Sequence, residues 1–453
     1  MPLHASHLVA EPVGPAGAFR RWAGHFCLVL GVGWLAWPWT LLALATAALL
    51  GGLLLAWALG LPASFARRTG SVRVLVWRRR VRRDWHAVCA RCGLAERETP
   101  QLRRSRGSFP YVQLRVRPTL GQTSRDFEVA ADALRSAFGA ARIRIEPDGP
   151  TDVLVTLTVG DTLGIPFAAA TGASPELVGS VALGRREDGQ AWRLPIGPHT
   201  LVAGCSGAGK GSVFWSFAFA LAPAVRTGHA QLHGIDLKGG MEIAMGRQLF
   251  TMSATDAAQA VAVLEHLVDL MRARAEAYAG RVRSHTPSLV EPLHVVMIDE
   301  LAALTAYCSE RDLQRRAETA INLLCSQGRA PGFMVFACLQ DPRKEVIPSR
   351  GLFTQMVGLR LKDQSEASMV LGETAVLSGA LCHRIPRDMP GTGYVLPEDG
   401  GHPIRVRAGF ATDDAIREVA EQFATPSHVQ LRGAVPAPVT KRPQRARAGG
   451  GAS

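Results

Sequence analysis

The sequence has few cysteines for its length, and their positions exclude a disulfide-bonded scaffold. Eight cysteines are spread over 453 residues, most of them in apolar runs and without the regular spacing of a disulfide framework. Cys89 and Cys92 form a single C-x-x-C pair with only His86 nearby, whereas a zinc site needs two further ligands. We therefore predict reduced, cytosolic thiols, and we favour a helix with two buried thiols over a zinc site.

Asp, Glu, Lys and Arg are all absent between Arg21 and Arg67. This run is too long for one membrane helix, which needs about 20 residues. A Trp-Pro-Trp motif at 37–39 divides it, because proline breaks helices and tryptophan favours the bilayer interface. We predict two membrane-spanning helices, at about 23–37 and 39–61, although a re-entrant or tilted segment would also fit the short first one. A signal peptide is disfavoured, since no small-residue cleavage site precedes a polar mature start.

Lysine is scarce, with five residues against 46 arginines, and the arginines are concentrated next to the uncharged run. Residues 67–118 contain fifteen arginines and three acidic residues, a net charge of +12 in a chain whose total is +13. Because arginines flank the uncharged run on both sides, the positive-inside rule places both of its ends in the cytoplasm. The basic segment would bind anionic lipid, at about 1 kcal/mol per charge near the surface, or DNA, and the sequence does not separate the two.

A phosphate-binding loop follows a short apolar strand at 201–203. Residues 204–210 read G-x-x-x-x-G-K, and an apolar run at 213–221 predicts the helix after it. In this context backbone N–H groups and the helix N-terminus bind phosphates, and Lys210 would bridge the β- and γ-phosphates of a nucleotide. The candidate nucleotide-binding residues are Gly204, Cys205, Ser206, Gly207, Ala208, Gly209, Lys210, Gly211 and Ser212.

The residue after Lys210 departs from the usual motif. A Ser or Thr normally follows, and its hydroxyl binds Mg²⁺, but here Gly211 follows and Ser212 comes one residue later. One residue along a helix rotates a side chain by about 100°, so Ser212 cannot simply replace the missing hydroxyl. A distorted loop or a water molecule would then complete the metal site, and Ser212 is its weaker candidate ligand.

An apolar strand at 294–298 ends in Asp299 and Glu300, as in a Walker B motif. Asp299 would hold Mg²⁺ through water, and Glu300 would polarise the attacking water. Acidic pairs also cap strands, but this pair follows a fully apolar strand in a chain that already has a phosphate-binding loop. A further buried strand at 333–339 ends at Gln340, which could sense the γ-phosphate.

The remaining patterns predict a small α/β module, further motor elements and a tail. The module has strands at 111–116, 142–145 and 153–159 and a helix at 127–138. In the motor we predict strands at 230–237 and 356–361, helices at 256–278 and from about 309, and a final hairpin at 392–406. From about residue 425 Pro, Arg, Gly and Ala dominate without periodicity, which predicts a disordered basic tail.

The order of these motifs resembles the FtsK/SpoIIIE family of DNA-pumping ATPases over roughly residues 180–425. The strings GAGKGS and DLKGGME and the short membrane-anchored N-terminus are more similar to transfer proteins of actinobacterial conjugative plasmids and integrative elements, in which Gly211 is less unusual. The matching strings are residues 204–210, Ile235-Asp236-Leu237-Lys238, Asp299-Glu300-Leu301-Ala302, Gln327 to Gly332, Leu339-Gln340 and Ile347-Pro348-Ser349-Arg350.

The resemblance implies an α/β, RecA-like P-loop motor with a central, mostly parallel sheet. It further implies an ATPase that uses ATP and Mg²⁺ and forms a homo-hexameric ring around double-stranded DNA. Arg329, on a loop rich in helix breakers, matches the family's arginine finger, which completes the site of a neighbouring subunit. No winged-helix domain for orienting sequences is evident, so sequence-specific DNA reading is not expected of this chain alone.

Together these observations predict a membrane-anchored DNA translocase for conjugation, located at the cell membrane with its motor in the cytoplasm. A protein-secretion motor, a chromosome-segregation translocase and a non-catalytic scaffold with a degenerate nucleotide site are the alternatives. The predicted organisation is a cytoplasmic N-terminus (1–22), two transmembrane helices (23–62), a basic juxtamembrane segment (63–108), a small α/β module (109–179), the motor (180–425) and the tail (426–453).

Overall fold

The computed structural model describes residues 42–57, 62–95, 98–172, 174, 179–343, 351–397 and 400–426. The chain divides into an N-terminal unit, up to Arg80, and a C-terminal unit that begins at Val81. The first predicted membrane helix, the cytoplasmic N-terminus and the tail from 427 onward lie outside the described residues.

The N-terminal unit contains helix α1 (42–57) and the first part of helix α2 (Pro62–Arg91). All seven leucines of α1 are exposed, between 53% and 67%. Among the described residues, no helix combines the length and the apolar character that a membrane crossing requires. Part of the second predicted span, at 39–41 and 58–61, falls outside the described residues.

In the C-terminal unit, the second part of α2 is an ordered helix within the segment that the sequence analysis described only as basic. Its buried residues Val81, Trp85 and Cys89 recur every fourth position, so they share one helix face. Trp85 stacks on Phe138 with ring centroids 6.2 Å apart. Cys89 is buried as predicted, whereas Cys92 lies in the turn after the helix and is partly exposed.

The small module is a four-stranded antiparallel sheet with two helices. Its three predicted strands are present, but the predicted helix is divided in two at Ala130. An additional strand lies at 101–108. It is at the edge of the sheet, and Ser105 is its one buried residue. Its sequence therefore has no alternation of apolar and polar residues by which it could be predicted. The elements are β1 (Gln101–Ser108), β2 (Tyr111–Arg117), α3 (Ser124–Val129), α4 (Ala131–Phe138), β3 (Arg142–Asp148) and β4 (Asp152–Thr158), with strand order β1-β2-β4-β3.

The motor is built on a ten-stranded sheet that is mostly parallel, which confirms the predicted α/β fold. Its strands are β5 (Ser180–Arg186), β6 (Ala191–Pro195), β7 (Thr200–Ala203), β8 (Ala230–Ile235), β9 (Phe250–Ala254), β10 (Leu293–Ile298), β11 (Phe333–Leu339), β12 (Gln355–Gly358), β13 (Thr392–Val395) and β14 (Ile404–Ala408). The order is β6-β5-β14-β13-β12-β7-β11-β10-β8-β9. The six strands from β12 to β9 are parallel, and the other four add antiparallel pairs at one end.

Helices cover both faces of this sheet, because its parallel strands are apolar on both sides. Along β11, Phe336 and Cys338 pack into a core with α5, whereas Val335 and Leu339 pack into a second core with α6 and α8. The helices are α5 (Lys210–Thr227), α6 (Ala257–Tyr278), α7 (Ala302–Thr305), α8 (Arg311–Gln327), α9 (Gln364–Leu371), α10 (Glu373–Leu377) and α11 (Asp413–Gln422).

The predicted motor strands and helices are present, with some differences in extent. β12 ends at Gly358, three residues earlier than predicted, and the predicted final hairpin is formed by β13 and β14. Some elements were not expected from the sequence: the hairpin of β5 and β6, the edge strand β9 and the helices α9 to α11. The hairpin joins the sheet through β14, far away in the sequence, so local periodicity carried no sign of its place.

Candidate nucleotide site

The phosphate-binding loop lies at the carboxyl ends of the parallel strands, between β7 and α5. Gly209 has a positive φ of 90°, and a Cβ there would lie 2.0 Å from the backbone nitrogen of Gly391, so only glycine fits. Lys210 Nζ donates hydrogen bonds to the carbonyl oxygens of Gly204 at 2.8 Å and Cys205 at 3.4 Å. Burial lowers the pKa of Lys210, which favours the approach of an anion that would offset its charge.

A cavity of about 310 Å³ opens in front of this loop. The predicted site residues Lys210, Asp299 and Gln340 all line it, together with residues that follow β8. The complete lining is Ser206, Gly207, Gly209, Lys210, Gly211, Asp236, Lys238, Met241, Glu242, Asp299 and Gln340.

The two Walker B acids are held in place by groups from neighbouring strands. Asp299 donates its N–H to the carbonyl of Ile235 at 3.0 Å, and its Oδ2 accepts a 3.0 Å hydrogen bond from Lys238 Nζ. Glu300 Oε1 accepts a 3.2 Å hydrogen bond from the backbone N–H of Gln340. Gln340, which the sequence indicated as a γ-phosphate sensor, therefore also orients Glu300 through its main chain.

Glu300 has the properties of a proton acceptor. Its side chain is 7% exposed, and burial raises its pKa above the ordinary value for a carboxyl group. Its Oε2 lies 3.6 Å from Lys238 Nζ and has no hydrogen-bond partner among the described residues. A raised pKa makes a carboxylate a better base, but Glu300 is buried and is not among the described residues that line the cavity.

Lys238 and Glu242 were not among the predicted site residues, and the loop between β8 and β9 brings both to the cavity. Asp236 is buried, and its carboxylate accepts hydrogen bonds from the N–H groups of Lys238 at 2.9 Å and Glu242 at 2.8 Å. Gly239 and Gly240 have φ values of 80° and 74°, which allow the tight turn between them. The string DLKGGME was the available sequence signal, but it indicated only family resemblance.

Glu242 lies beside the position where the usual hydroxyl is missing. Its Oε1 accepts a 2.8 Å hydrogen bond from Trp215 Nε1, and a Cβ built on Gly211 would lie 2.8 Å from the same oxygen. Burial and the negative charge of Asp299 raise the pKa of Glu242. Ser212 instead has its Cβ 3.3 Å from the position of a Cβ built on Gly391, and it does not line the cavity in the part of the chain that is described.

The residues of the cavity fit a magnesium ion that a nucleotide would bring. No group of three or more His, Cys, Asp or Glu side chains is placed to hold a metal within the described ranges. Mg²⁺ does not require such a group, because it is commonly bound by one or two carboxylates together with phosphates and water. The carboxylates of the cavity lining are Asp236, Glu242 and Asp299, and that of Asp236 already accepts two backbone hydrogen bonds.

Arg329 lies far from the nucleotide site of its own chain. It is exposed in the turn between α8 and the start of β11, whereas Gln340 follows the end of that strand. Seven residues of strand span about 23 Å, so Arg329 and the phosphate-binding loop occupy opposite edges of the sheet. Contact between Arg329 and a nucleotide would therefore require a second subunit.

Known proteins are similar to this chain in sequence. Residues 177–284 match the model of the FtsK/SpoIIIE family. The chain is 27% identical over 354 residues to Transfer protein TraSA of Streptomyces ambofaciens, covering 72% of this chain and 84% of that protein. It is 26% identical over 341 residues to DNA translocase FtsK of Streptococcus pyogenes, covering 67% of this chain but only 40% of that relative.

A solved structure, the pCW3 conjugation coupling protein TcpA in its monomer form with ATPγS, shares 17% sequence identity at a TM-score of 0.49. That similarity covers 75% of this chain and 98% of TcpA. The family match lies on the segment that contains the phosphate-binding loop and the DLKGGME loop. The predicted resemblance to the FtsK/SpoIIIE family is thus confirmed, and the chain is an ATPase.

Proposed function

We propose that this protein is a membrane-anchored, ATP-driven translocase of double-stranded DNA that moves plasmid or integrative-element DNA between cells. The observation that carries the proposal is the cavity that Lys210, Asp299 and Gln340 form at one edge of the sheet. The similarity to a transfer protein over 84% of that relative's length supports conjugation as the process.

In the proposed hydrolysis step, Glu300 takes a proton from the attacking water and Lys210 neutralises the phosphates. Asp299 and a second oxygen ligand would hold Mg²⁺, which offsets the charge that develops on the transferred phosphoryl group. Lys238, at 3.0 Å from Asp299 and 3.6 Å from Glu300, keeps the two carboxylates close together despite their like charges.

The proposed assembly is a homo-hexameric ring in which Arg329 acts on the nucleotide of a neighbouring subunit. Its exposed position at the edge opposite the phosphate-binding loop supports a role between subunits over one within a subunit. Coupling of each ATP site to the next subunit would allow successive hydrolysis events around DNA.

The proposed membrane anchor is the 23–62 segment, with anionic lipids and DNA as partners of the basic residues that follow it. The exposed leucines of α1 support burial in lipid, because water solvates a continuous apolar surface poorly. Reporter fusions at the N-terminus and after residue 70 test this arrangement. Both should report cytoplasm, and an external signal from either fusion would contradict the two-helix anchor.

The experiment that tests the function measures ATP hydrolysis by the full chain with and without double-stranded DNA. For the wild type we expect double-stranded DNA to stimulate hydrolysis several-fold. For Lys210→Ala we expect no hydrolysis with or without DNA. Hydrolysis that ignores DNA but responds to a secreted protein substrate would instead favour the protein-secretion motor. No hydrolysis under any condition would favour the scaffold.

A further inference from the structure

A carboxylate occupies the place of the hydroxyl that this phosphate-binding loop lacks. Gly211 lies in the first turn of α5, directly after Lys210. A Cβ built on it would lie 2.8 Å from Oε1, 3.5 Å from Cδ and 3.6 Å from Oε2 of Glu242. A Ser or Thr side chain at 211 would therefore enter the volume that the Glu242 carboxylate fills. Glycine at 211 and glutamate at 242 are sterically complementary.

Buried groups on both sides fix the Glu242 side chain in this position. Trp215 is one helical turn after Gly211, so both face the same side of α5, and Trp215 Nε1 donates a 2.8 Å hydrogen bond to Oε1. The N–H of Glu242 donates a 2.8 Å hydrogen bond to Asp236 Oδ2. Trp215 is 2% exposed and Asp236 is 1% exposed, which limits the movement of both partners.

The charges around Glu242 favour the binding of a cation. Glu242 and Asp299 line one cavity and repel each other. Lys210 and Lys238, the described cationic residues of its lining, already bind the Gly204 carbonyl and Asp299. The Trp215 N–H stabilises the carboxylate through its hydrogen bond but, as a neutral donor, leaves the net charge unchanged. Carboxylate oxygens beside bound phosphates are the ligands that Mg²⁺ prefers.

We propose that Glu242 replaces the missing hydroxyl as a protein ligand of the Mg²⁺ that accompanies ATP, with Trp215 as the residue that positions it. This inference rests on the proposed ATP hydrolysis at this cavity and adds to it the identity of the second metal ligand. An anionic ligand also has a consequence that a hydroxyl lacks. Without Mg²⁺, its charge repels the phosphates, so nucleotide binding should depend unusually strongly on the metal.

The experiment measures the affinity of the full chain for a fluorescent ATP analogue, in excess Mg²⁺ and in EDTA. For Glu242→Gln we expect weaker binding in Mg²⁺ and unchanged or tighter binding in EDTA, so that the enhancement by Mg²⁺ falls at least about ten-fold. A purely structural role would weaken binding in both conditions alike. Electron paramagnetic resonance of Mn²⁺ with a non-hydrolysable ATP analogue provides a direct second readout, in which Glu242→Gln should bind less Mn²⁺.

Two further variants use the geometry around Gly211. Gly211→Ala places a methyl group 2.8 Å from Glu242 Oε1, and it should reduce the Mg²⁺ enhancement without removing the carboxylate. The double variant Gly211→Ser with Glu242→Ala restores a hydroxyl and removes the carboxylate that would clash with it, so it should recover Mn²⁺ binding relative to Glu242→Ala. The matched control is Glu276→Gln, an equal loss of charge at an exposed position in the last turn of α6.

The outcomes separate this inference from the function on which it rests. If Glu242→Gln and Gly211→Ala both keep the Mg²⁺ enhancement within two-fold of the wild type, Glu242 is not a metal ligand, while nucleotide binding stands. If the wild type binds no nucleotide in either condition, the proposed function itself fails. Should Glu242→Gln fail to fold by circular dichroism, Gly211→Ala and the double variant decide the question.

Discussion

Among single residues, the roles proposed for Lys210 and Glu300 are separable, because one would bind phosphate and the other would accept a proton. Lys210→Ala should abolish nucleotide binding. Glu300→Gln keeps the shape and the hydrogen bond from Gln340 but loses the base, so ATP should bind while turnover falls by about 10³-fold or more. Turnover assays and binding of a fluorescent ATP analogue measure the two effects. Glu373→Gln, at an exposed position of α10, is the control, and near-normal turnover of Glu300→Gln would contradict its role as base.

His199 should make stability depend on pH. Its Nδ1 accepts a 3.0 Å hydrogen bond from the N–H of Val335, so a proton at Nδ1 would oppose that donor. Burial first, and then the charge of Arg329, lower its pKa to about 4, whereas an unfolded histidine has an ordinary value near 6.5. As pH falls below about 6.5, the unfolded chain takes up this proton before the folded one, so the stabilisation is complete above that pH and is lost towards pH 4.

We therefore expect His199→Asn, which retains an acceptor oxygen, to reduce the pH dependence of the unfolding free energy. The reduction should approach 1.4 kcal/mol per pH unit between about pH 6.5 and 4.5. Urea denaturation across this range measures it, with exposed His86→Asn as the control. Identical pH dependence in His199→Asn and the wild type would show that the buried imidazole does not contribute.

At the scale of elements, the edge strand β1 presents a basic surface. Its residues Arg103, Arg104 and Arg106 are exposed. If this strand contacts DNA, replacing all three by Gln should weaken binding of double-stranded DNA and reduce the slope of log affinity against log salt by up to about 0.9 per arginine. Fluorescence anisotropy at several salt concentrations measures the slope.

A matched triple variant distinguishes a specific surface from loss of net charge. Arg272, Arg281 and Arg283 are also exposed, on α6 and the turn after it. Replacing these by Gln removes the same charge at another place and should leave the salt slope nearly unchanged. Equal effects of both triple variants would mean that β1 is not a DNA contact, and lipid would become the expected partner of the strand.

At the scale of the whole molecule, the opposite placement of Arg329 and the phosphate-binding loop predicts activity that depends on neighbouring subunits. Arg329→Ala should bind ATP normally and hydrolyse it 10³-fold or more slowly. Mixed with Lys210→Ala subunits it should recover part of the activity, because an intact ATP site can then adjoin a subunit that retains its arginine. Turnover of mixtures, measured alongside each variant alone, checks this.

Absence of recovery in assemblies shown to contain both subunits would remove Arg329 as the finger, and the ATPase activity would stand without it. A suitable control mixes Lys210→Ala with Glu300→Gln. Both changes disable the subunit's own ATP site, so no neighbour can restore turnover.

The sequence alone determined the parts of this protein whose chemistry needs fixed residues at short spacing. The strands that precede the phosphate-binding loop, the two acids and Gln340 were predicted correctly, because each is one contiguous apolar segment. The mostly parallel sheet was implied by the family resemblance that these motifs carry. The absence of a Ser or Thr at position 211 was also visible in the sequence, because it concerns one position of a contiguous motif.

Only the tertiary structure showed which side chain lies beside Gly211. Trp215 and Glu242 are 27 positions apart, and the Gln340 N–H reaches Glu300 across 40 positions. The order of strands and the turn held by Asp236 bring these groups together. Likewise, the direction of β11 places Arg329 at the edge of the sheet opposite the phosphate-binding loop. Periodicity records which side of an element is buried, whereas the identity of the neighbour across a sheet depends on how all the elements pack.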